Sequence, residues 1–294
     1  MKIPPLTITE PKTQWDYSDS FGNNHYEYIK SFTHRDYSIG YHIHKFYELN
    51  IVIKGEGYHY IEQMSCPANP GCVFLIPPNV KHGYMSLKNL DVYHMLIHKD
   101  FLKDCFGEFE RTDGFSLLFE IEPRLRANYD ESVFLSLSDS ELGILKQDIE
   151  IIETLTDVKN SDIFVNAIAK KILCYLCFLM AQKHAVFEKN QEGDNELVNI
   201  IDSLNYIHKN FNEKLTICSL AEKCHMSRST FIRHFTKMTG VSPHKYIRDY
   251  RIKKALQYIK TTDKSLAFIA QECGFYDVAH MQKVIGVKKG GSVN

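Results

Sequence analysis

The chain of 294 residues lacks most of the features that mark membrane, secreted or fibrous proteins. No uninterrupted apolar run reaches the roughly 18–20 residues of a membrane span; the longest, residues 172–181, fits a buried helix. Residues 1–5 lack the apolar core of a signal peptide, and the 8 cysteines show no disulfide-framework spacing. These absences predict a protein of the reducing cytoplasm with no membrane segment.

The composition that remains is that of an ordinary globular protein with an uneven distribution of charge. Apolar residues make up 44% and charged residues 24%, which excludes collagen, coiled-coil rods and disordered chains, and the length predicts about two domains. The net charge is -1, but residues 195–294 hold 16 basic and 8 acidic residues, which leaves 19 basic and 28 acidic residues in the rest. A basic C-terminal third indicates that one domain meets a polyanion.

Short strands separated by turn residues are predicted up to about residue 125. The candidate strands are residues 49–54, 58–61, 72–76 and 92–97, and Gly55-Glu56-Gly57, Gly71 and Pro77-Pro78 punctuate them. Strands spaced in this way are typical of an all-β barrel or sandwich.

Helical periodicity begins at about residue 138. An apolar stripe with a 3-4-3 spacing predicts an amphipathic helix. The stripe could be plain core, but we favour a dimer seam because the pattern is about two heptads long. The stripe consists of Leu142, Leu145, Ile149 and Ile152. A more apolar helix is predicted over residues 163–187, and the polar residues 188–195 are predicted to form the main linker.

The C-terminal third contains two weakly similar segments about fifty residues apart. Each places a small residue, Ala221 or Ala270, on an amphipathic helix, then a short break and a capping residue, Ser227 or Asp277. The small residue lets a second helix cross the first closely, which is how a helix-turn-helix is built. A long helix over residues 242–260 is predicted to join the two units.

These segments resemble the AraC/XylS family of bacterial transcription regulators. The matching positions are Leu220-Ala221, Ser227, Phe231, Arg233, Phe235, Thr239-Gly240, Tyr246-Ile247, Arg251, Ala255, Ile269-Ala270, Gly274-Phe275 and Asp277. The resemblance implies double-stranded DNA as a partner, a homodimer, and activation through contact with RNA polymerase. The first half resembles the sugar-sensing cupin domain of many members, with residues 42–48 and 71–82 as its landmarks.

The predicted fold class is therefore α+β with several domains. Residues 1–135 are predicted to form a cupin-type β-barrel or jelly roll that senses a ligand. Residues 136–190 are predicted to form a helical dimerisation and linker segment. Residues 191–294 are predicted to form an all-α DNA-binding domain with two helix-turn-helix units, of which the second is atypical at its C-terminus.

The amphipathic pattern of each second helix predicts which residues face DNA. In the first unit, Phe231 and Phe235 are four apart and must face inward; in the second, Met281 and Ile285 fill the core positions. The residues predicted to contact DNA are Arg228, Ser229, Ile232, Arg233, Ala279, Gln282 and Lys283. Arginine is the usual reader of guanine. Gly286 is expected to weaken the second helix, and the closing tail typical of the family is absent.

The β-domain contains a cluster of histidines and one glutamate. His42, His44 and Glu48 share even parity, so one unbulged strand would point all three to one face, and His82 follows at a strand end. In cupin enzymes this spacing supplies three His and one Glu to a divalent metal, and these ligand types suit Fe, Mn, Ni or Zn. Alternatively, the cluster binds an effector directly, with His94 as a further contact, or forms only a pocket wall.

The sequence thus favours a cytoplasmic, ligand-responsive transcription regulator that is not an enzyme. A small molecule, a sugar or sugar derivative, is expected to bind in the barrel and shift the populations of two arrangements of the chain. Two alternatives stay open. One is a cupin metalloenzyme with a vestigial DNA module, and the other is a regulator whose altered C-terminus impairs DNA binding.

Overall fold

The computed structural model describes residues 14–16, 29–102, 113–127, 135–155, 158, 160–190 and 196–286. The chain divides into two compact units, residues 1–189 and 190–294, which we call the N-terminal unit and the C-terminal unit. The division into three domains stays a prediction. The predicted linker residues 191–195 and the C-terminal residues 287–294 lie outside the described part of the chain.

The N-terminal unit is built on a mixed sheet. Its strands are β1 (Gln14–Trp15), β2 (Ile29–His34), β3 (Ile39–His44), β4 (Tyr47–Ile61), β5 (Met64–Ala68), β6 (Cys72–Ile76), β7 (His82–Ile97) and β8 (Leu135–Ser136). The order is β1-β3-β7-β4-β6-β8, with β2 paired to β7 and β5 paired to β4. Only the β1–β3 pairing among these described strands is parallel.

The long strands β4 and β7 run antiparallel to each other and organise the sheet. The predicted turn at Gly55-Glu56-Gly57 is wrong, because β4 continues through it with shifts in register against β7. Gly55 has φ +83, and a Cβ there would lie 2.1 Å from the carbonyl oxygen of Asn89. A glycine is therefore required for a bulge within one strand, where the sequence suggested a break between two.

Residues 113–126 are helical, so the prediction of strands up to about residue 125 is wrong there. Helix α1 (Asp113–Ser116), a π-helical turn (Leu117–Ile121) and helix α2 (Glu122–Arg126) follow one another directly. Their apolar side chains are buried at irregular helical spacing, and the inserted π turn disturbs the period that sequence reading relies on.

Helices α3 (Asp139–Leu155) and α4 (Asp162–Asn190) complete the N-terminal unit. The predicted dimer seam is wrong in its position: all four of its residues lie buried within this unit, each less than 5% exposed. Helix α4 continues into the predicted linker. One segment of it, Asp162–Ala185, is long and apolar enough to cross a membrane, and half of its most apolar stretch is buried in the unit. Counting only uninterrupted apolar runs missed this segment.

The described residues of the C-terminal unit form helices joined by short loops, with no strand among them. Its helices are α5 (Glu196–Lys209), α6 (Ile217–Lys223), α7 (Arg228–Thr239), α8 (Pro243–Thr261), α9 (Leu266–Glu272) and α10 (Val278–Ile285). The predicted connecting helix over 242–260 is confirmed as α8. Helices α6 and α7 form one helix-turn-helix, and α9 and α10 form the other.

Candidate DNA-binding surface and ligand pocket

The first helix-turn-helix is held together by local hydrogen bonds that the sequence specifies. The amide of Met226 donates to the carbonyl of Ala221 at 2.9 Å, which fixes the turn. The side chain of Ser227 then caps α7 by accepting from the amide of Thr230 at 3.2 Å. Because Ala221 is small and buried, α7 can cross α6 closely.

Helix α7 has the predicted two faces. Phe231 and Phe235 are fully buried, as the i, i+4 spacing predicted. The predicted DNA contacts Arg228, Ser229 and Arg233 are exposed, and Ile232 is half-buried. The guanidinium of Arg233 lies 3.1 Å from the ring of the adjacent His234, which in turn contacts Glu196 at 2.6 Å. The sequence did not indicate these contacts between Arg233, His234 and Glu196.

The second helix-turn-helix repeats the same construction. The amide of Phe275 donates to the carbonyl of Ala270 at 2.9 Å, and Asp277 caps α10 by accepting from the amide of His280 at 2.6 Å. Met281 is buried, and Ile285 packs against the same apolar cluster. Of the predicted contacts, Ala279 and Lys283 are exposed and Gln282 is half-buried.

Gly286 ends α10 rather than interrupting it. This residue adopts a left-handed conformation with φ +84, and its amide donates to the carbonyl of Gln282, which is a common way to terminate a helix. Helix α10 is therefore 8 residues long, against 12 for α7. Arg251, one of the positions that carry the resemblance, has a structural role, since it donates to the carbonyls of Phe211 at 2.7 Å and Glu213 at 2.6 Å.

The N-terminal unit contains a partly open cavity of about 280 Å³ between strands β1, β2, β3, β4 and β7. The side chains around it are aromatic or titratable, with little else. They are Trp15, Lys30, Phe32, His34, Tyr37, Ile39, His42, His44, Phe46, Glu48, His94 and Leu96. This is the usual character of a small-molecule site, in which apolar walls carry a few polar groups that orient the ligand.

The histidine and glutamate cluster lies at this cavity, although not by the predicted route. A turn at residues 45–46 separates β3, which carries His42 and His44, from β4, which carries Glu48. The expectation of one unbulged strand is therefore wrong. The residues still meet, because His42 faces His82 across the β3–β7 ladder and β4 runs beside the same strand.

Glu48 is the centre of the cluster. Its Oε2 lies 3.0 Å from Nε2 of His44 and 3.1 Å from Nε2 of His82, and its Oε1 lies 2.8 Å from Nδ1 of His94. Ligand atoms of His42, Glu48 and His82 all lie within 4.8 Å of one another. The structure thus brings together all five predicted effector residues. His82 reaches the cluster without lining the cavity.

Backbone carbonyls fix the protonation of three ring nitrogens. Nδ1 of His42 lies 3.0 Å from the carbonyl of Gly40, and the corresponding distances are 2.8 Å for His44 and 3.1 Å for His82. A carbonyl only accepts, so each Nδ1 carries a proton. In a neutral imidazole the other nitrogen, Nε2, then presents a lone pair, which is the arrangement that metal-binding histidines adopt.

Burial shapes the protonation equilibria of the cluster. Burial lowers the pKa of His42 to about 3, with His82 acting in the same direction. Burial alone would raise the pKa of Glu48, but the close contacts of its oxygens with His44, His82 and His94 hold that pKa well below its ordinary value. The cluster therefore contains an ionised carboxylate surrounded by imidazole rings.

A second buried polar group, centred on Arg126 of α2, was not predicted. Arg126 is 1% exposed; its Nε donates to Oε1 of Glu122 at 2.8 Å, and its Nη2 donates to the carbonyl of Leu75 at 2.7 Å. Nη1 lies 3.1 Å from Nδ1 of the fully buried His59. Trp15, His34 and Tyr37 were also missed as cavity residues. For His34 the one available signal is its spacing along β2, since Lys30, Phe32 and His34 alternate along the strand and so share a face.

Comparisons with known proteins agree with this division of the chain. Residues 24–154 match the AraC-like ligand binding domain family, and residues 220–290 match a helix-turn-helix domain family. The HTH-type transcriptional activator RhaS of Pectobacterium carotovorum subsp. carotovorum is 24% identical over 241 residues, which are 81% of this chain and 80% of that protein. RhaS of Mannheimia succiniciproducens is 26% identical over 243 residues, 81% of this chain and 82% of its own length.

Among solved structures, the DNA-binding domain of AdpA in complex with a target DNA aligns with a TM-score of 0.30 and 26% identity, covering 32% of this chain and 85% of its own. The two family matches and the relatives are regulators, so the metalloenzyme alternative is wrong. The chain is a ligand-responsive, DNA-binding transcription regulator of the AraC family.

Proposed function

We propose that this regulator is a cytoplasmic activator whose DNA binding is controlled by a small molecule in the cavity of the N-terminal unit. The observation that carries the proposal is the cavity, with its buried His/Glu cluster, in the domain that matches a ligand-binding family. The relatives named above are activators. Activation would proceed through contact with RNA polymerase, as the family resemblance implies.

DNA recognition is assigned to the outer faces of α7 and α10. Exposed Arg228, Ser229 and Arg233 lie beside a fully buried apolar stripe, so α7 can enter a major groove without disturbing its own packing. The matching face of α10 contains Ala279, Gln282 and Lys283, and Ile232 completes the α7 face. Helix α10 is shorter than α7, and its proposed face has no arginine where that of α7 has Arg228 and Arg233. We therefore expect α7 to provide most of the sequence discrimination.

The test is binding of the purified full-length protein to DNA from upstream of its own gene, measured by fluorescence anisotropy over a salt series. Specific binding should weaken steeply as salt rises, and Arg233→Ala should lose roughly 5- to 150-fold in affinity for the specific site. Arg233→Lys is the matched control. Arg233→Lys keeps the charge but loses the two parallel hydrogen bonds that a guanidinium can donate. If Arg233 contacts a base, this variant should not restore specific affinity; if Arg233 contacts a phosphate, it should.

Two results would count against this assignment. Wild-type binding no tighter than binding to random DNA would favour a regulator whose short α10 impairs operator binding. Equal loss of specific and random DNA affinity in Arg233→Ala would make Arg233 a phosphate contact only.

The effector is proposed to be a sugar or sugar derivative bound by the aromatic walls and the polar cluster. Rings of Trp15, Phe32, Tyr37 and Phe46 line the cavity and offer flat apolar faces. His94 is 1% exposed, and its Nε2 has no hydrogen-bond partner among the described residues. A bound hydroxyl would satisfy this atom. His42, His44, Glu48 and His82 complete the proposed effector site.

The cluster also fits a divalent metal ion. Possible ligand atoms of His42, Glu48 and His82 lie close together. Because Nδ1 of each ring carries a proton, the Nε2 lone pair of a neutral ring is free to bind a metal ion. His44 is a fourth candidate ligand. Two imidazole lone pairs facing one carboxylate oxygen repel each other unless a proton or a cation lies between them. When bound, a metal ion would act as a Lewis acid that anchors oxygen atoms of the effector.

Metal binding can be measured on chelator-treated full-length protein titrated with Mn²⁺, Ni²⁺ or Zn²⁺. Trp15 is the single tryptophan, and its ring lies 4.5 Å from that of His42, so its fluorescence should respond. Glu48→Gln should abolish binding, while His34→Gln, which alters the same cavity outside the cluster, should leave it unchanged. Equal metal binding by Glu48→Gln and wild type would refute the site.

A homodimer is proposed to form through exposed apolar residues of α3 and α4. Ile144 and Ile151 lie seven residues apart on α3 and are 46% and 41% exposed, and Phe164 and Phe178 on α4 are each 56% exposed. Heptad spacing suits pairing with a second copy. In sedimentation velocity, Ile144→Glu with Ile151→Glu should give a monomer. The control Lys146→Glu changes a half-buried residue on another side of α3 and should stay dimeric. A double variant that still dimerises would exclude this face.

A further inference from the structure

We propose that the effector is an anionic sugar derivative, a hydroxy acid the size of one monosaccharide, and that Lys30 binds its carboxylate. The inference rests on the proposed effector site in the N-terminal cavity and specifies the class of molecule that this site accepts. It distinguishes a uronic or aldonic acid from the neutral sugar of the same carbon skeleton.

Lys30 lies on the cavity side of β2. Side chains alternate along a strand, and the residues of β2 that line the cavity are Lys30, Phe32 and His34. The strand pairs with β7 in a register that sets Lys30 opposite Leu96, another lining residue. The side chain of Lys30 is therefore half-buried on a wall formed largely by rings and aliphatic groups.

No carboxylate of the described cavity wall is free to pair with this lysine. Glu48 is the one acid among the described lining residues, and both of its oxygens are held by imidazole rings at 2.8–3.1 Å. Within the described part of the chain, Lys30 has no ion pair or hydrogen bond, and it is half-buried. An anionic group on a bound molecule would supply the missing partner.

Glu48 does not prevent an anion from binding. Nδ1 protons of His44 and His82 are committed to backbone carbonyls, and Nε2 of both rings faces the same carboxylate oxygen. Both oxygens of Glu48 are therefore occupied by imidazole rings. Lys30 is the one lysine or arginine among the described lining residues, so it is the group of this wall that an anion would contact.

The remaining surfaces favour a small hydroxylated molecule over an aliphatic acid. The volume of about 280 Å³ lies at the lower end for ligand sites, and four histidines line the wall beside the aromatic rings. Nε2 of His94 has no partner, and leaving buried polar atoms unpaired is unfavourable. Hydroxyl groups would pair with such atoms, while an alkyl chain would leave them unsatisfied.

The experiment compares acids with their neutral parents on the purified full-length protein. The probes are galacturonate, glucuronate, galactonate and gluconate, their parent sugars galactose and glucose, and hexanoate as an acid without hydroxyls. Affinity is measured by calorimetry and by Trp15 fluorescence. We expect the tightest ligand to be a hydroxy acid, and its neutral parent to bind roughly 10- to 150-fold more weakly, the range for a hydrogen bond to a charged group.

Two variants connect this difference to Lys30. Lys30→Met should remove the preference for the acid, and Lys30→Arg should keep it; unchanged thermal unfolding of both shows that the fold is intact. The inference is overturned if a parent sugar binds at least as tightly as its acid, if hexanoate binds as well as the hydroxy acids, if Lys30→Met retains the preference, or if no probe binds.

Failure of this inference and failure of the proposed function give different results. A protein that binds upstream DNA specifically, with that binding altered by a neutral sugar, would keep the proposed function and exclude the acid. A protein that binds the acid through Lys30 but shows no specific DNA binding would support the acid as ligand and contradict the proposed function.

Discussion

The buried pair Arg126–Glu122 makes a quantitative prediction about the stability of the N-terminal unit. Arg126→Met removes every polar contact of the guanidinium and leaves the carboxylate of Glu122, which is 2% exposed, without its partner. It also removes the donors to the carbonyl of Leu75 and to Nδ1 of His59. Breaking one side of a buried ion pair lowers stability by about 3–5 kcal/mol, and we expect a loss of this size.

The double variant Arg126→Met with Glu122→Leu tests whether an orphaned charge is the cause. With no carboxylate left to neutralise, the double variant should be at least ~2 kcal/mol more stable than the single one, while the unpaired Leu75 carbonyl should keep it below wild type. Urea unfolding followed by Trp15 fluorescence reports on this unit, because the single tryptophan lies in it. Losses that simply add in the double variant would refute the reasoning.

The pH dependence of Arg126→Met gives a second check. Burial raises the pKa of Glu122 and Arg126 opposes that shift, so removing the arginine should raise the pKa of Glu122 further. A folded state that binds a proton more readily than the unfolded state gains stability as the pH falls. The free energy of unfolding of Arg126→Met should therefore recover toward that of wild type between about pH 7 and pH 5. A single variant that loses stability over this range would contradict the assignment.

Two further predictions follow from packing and burial. A Cβ on Gly114 would lie 1.7 Å from the carbonyl oxygen of Cys177, whereas one on Gly143 would meet nothing within 4 Å. In urea unfolding, Gly114→Ala should therefore destabilise the N-terminal unit by about 1–3 kcal/mol, and Gly143→Ala should stabilise it by about 0.5–1 kcal/mol. Similar effects of the two substitutions would contradict this reasoning. Burial raises the pKa of the Cys66 thiol to about 12 while Cys218 is exposed, so alkylation of the native protein at pH 8, mapped by peptide mass spectrometry, should modify Cys218 and spare Cys66.

The helix-turn-helix units could be predicted from sequence because their signals are local. The caps Ser227 and Asp277 lie within four residues of the amides they satisfy, and the i, i+4 spacing of Phe231 and Phe235 identifies the buried face directly. Only the end of α10 differed from expectation, because Gly286 terminates the helix.

The β-domain was harder to predict because its determinants are far apart in sequence. Gly55 looked like a turn residue, and its requirement for positive φ comes from a strand that arrives more than thirty residues later. The apolar stripe of α3 predicted a helix correctly, but a single sequence does not say whether such a face packs within its own unit or against a second copy. Arg126 gave no signal at all, since an isolated arginine normally lies on the surface.

Ligand-controlled DNA binding is tested most directly by a reporter gene driven by DNA from upstream of this gene, in cells supplied with each acid and each parent sugar. Wild type should raise expression with one acid. Arg233→Ala should give no activation under any condition. Glu48→Gln should lose the response to the acid, while its purified form binds the same DNA as tightly as unliganded wild type does. Activation by Arg233→Ala equal to that of wild type, or an unaltered response of Glu48→Gln, would contradict control of DNA binding from the cavity.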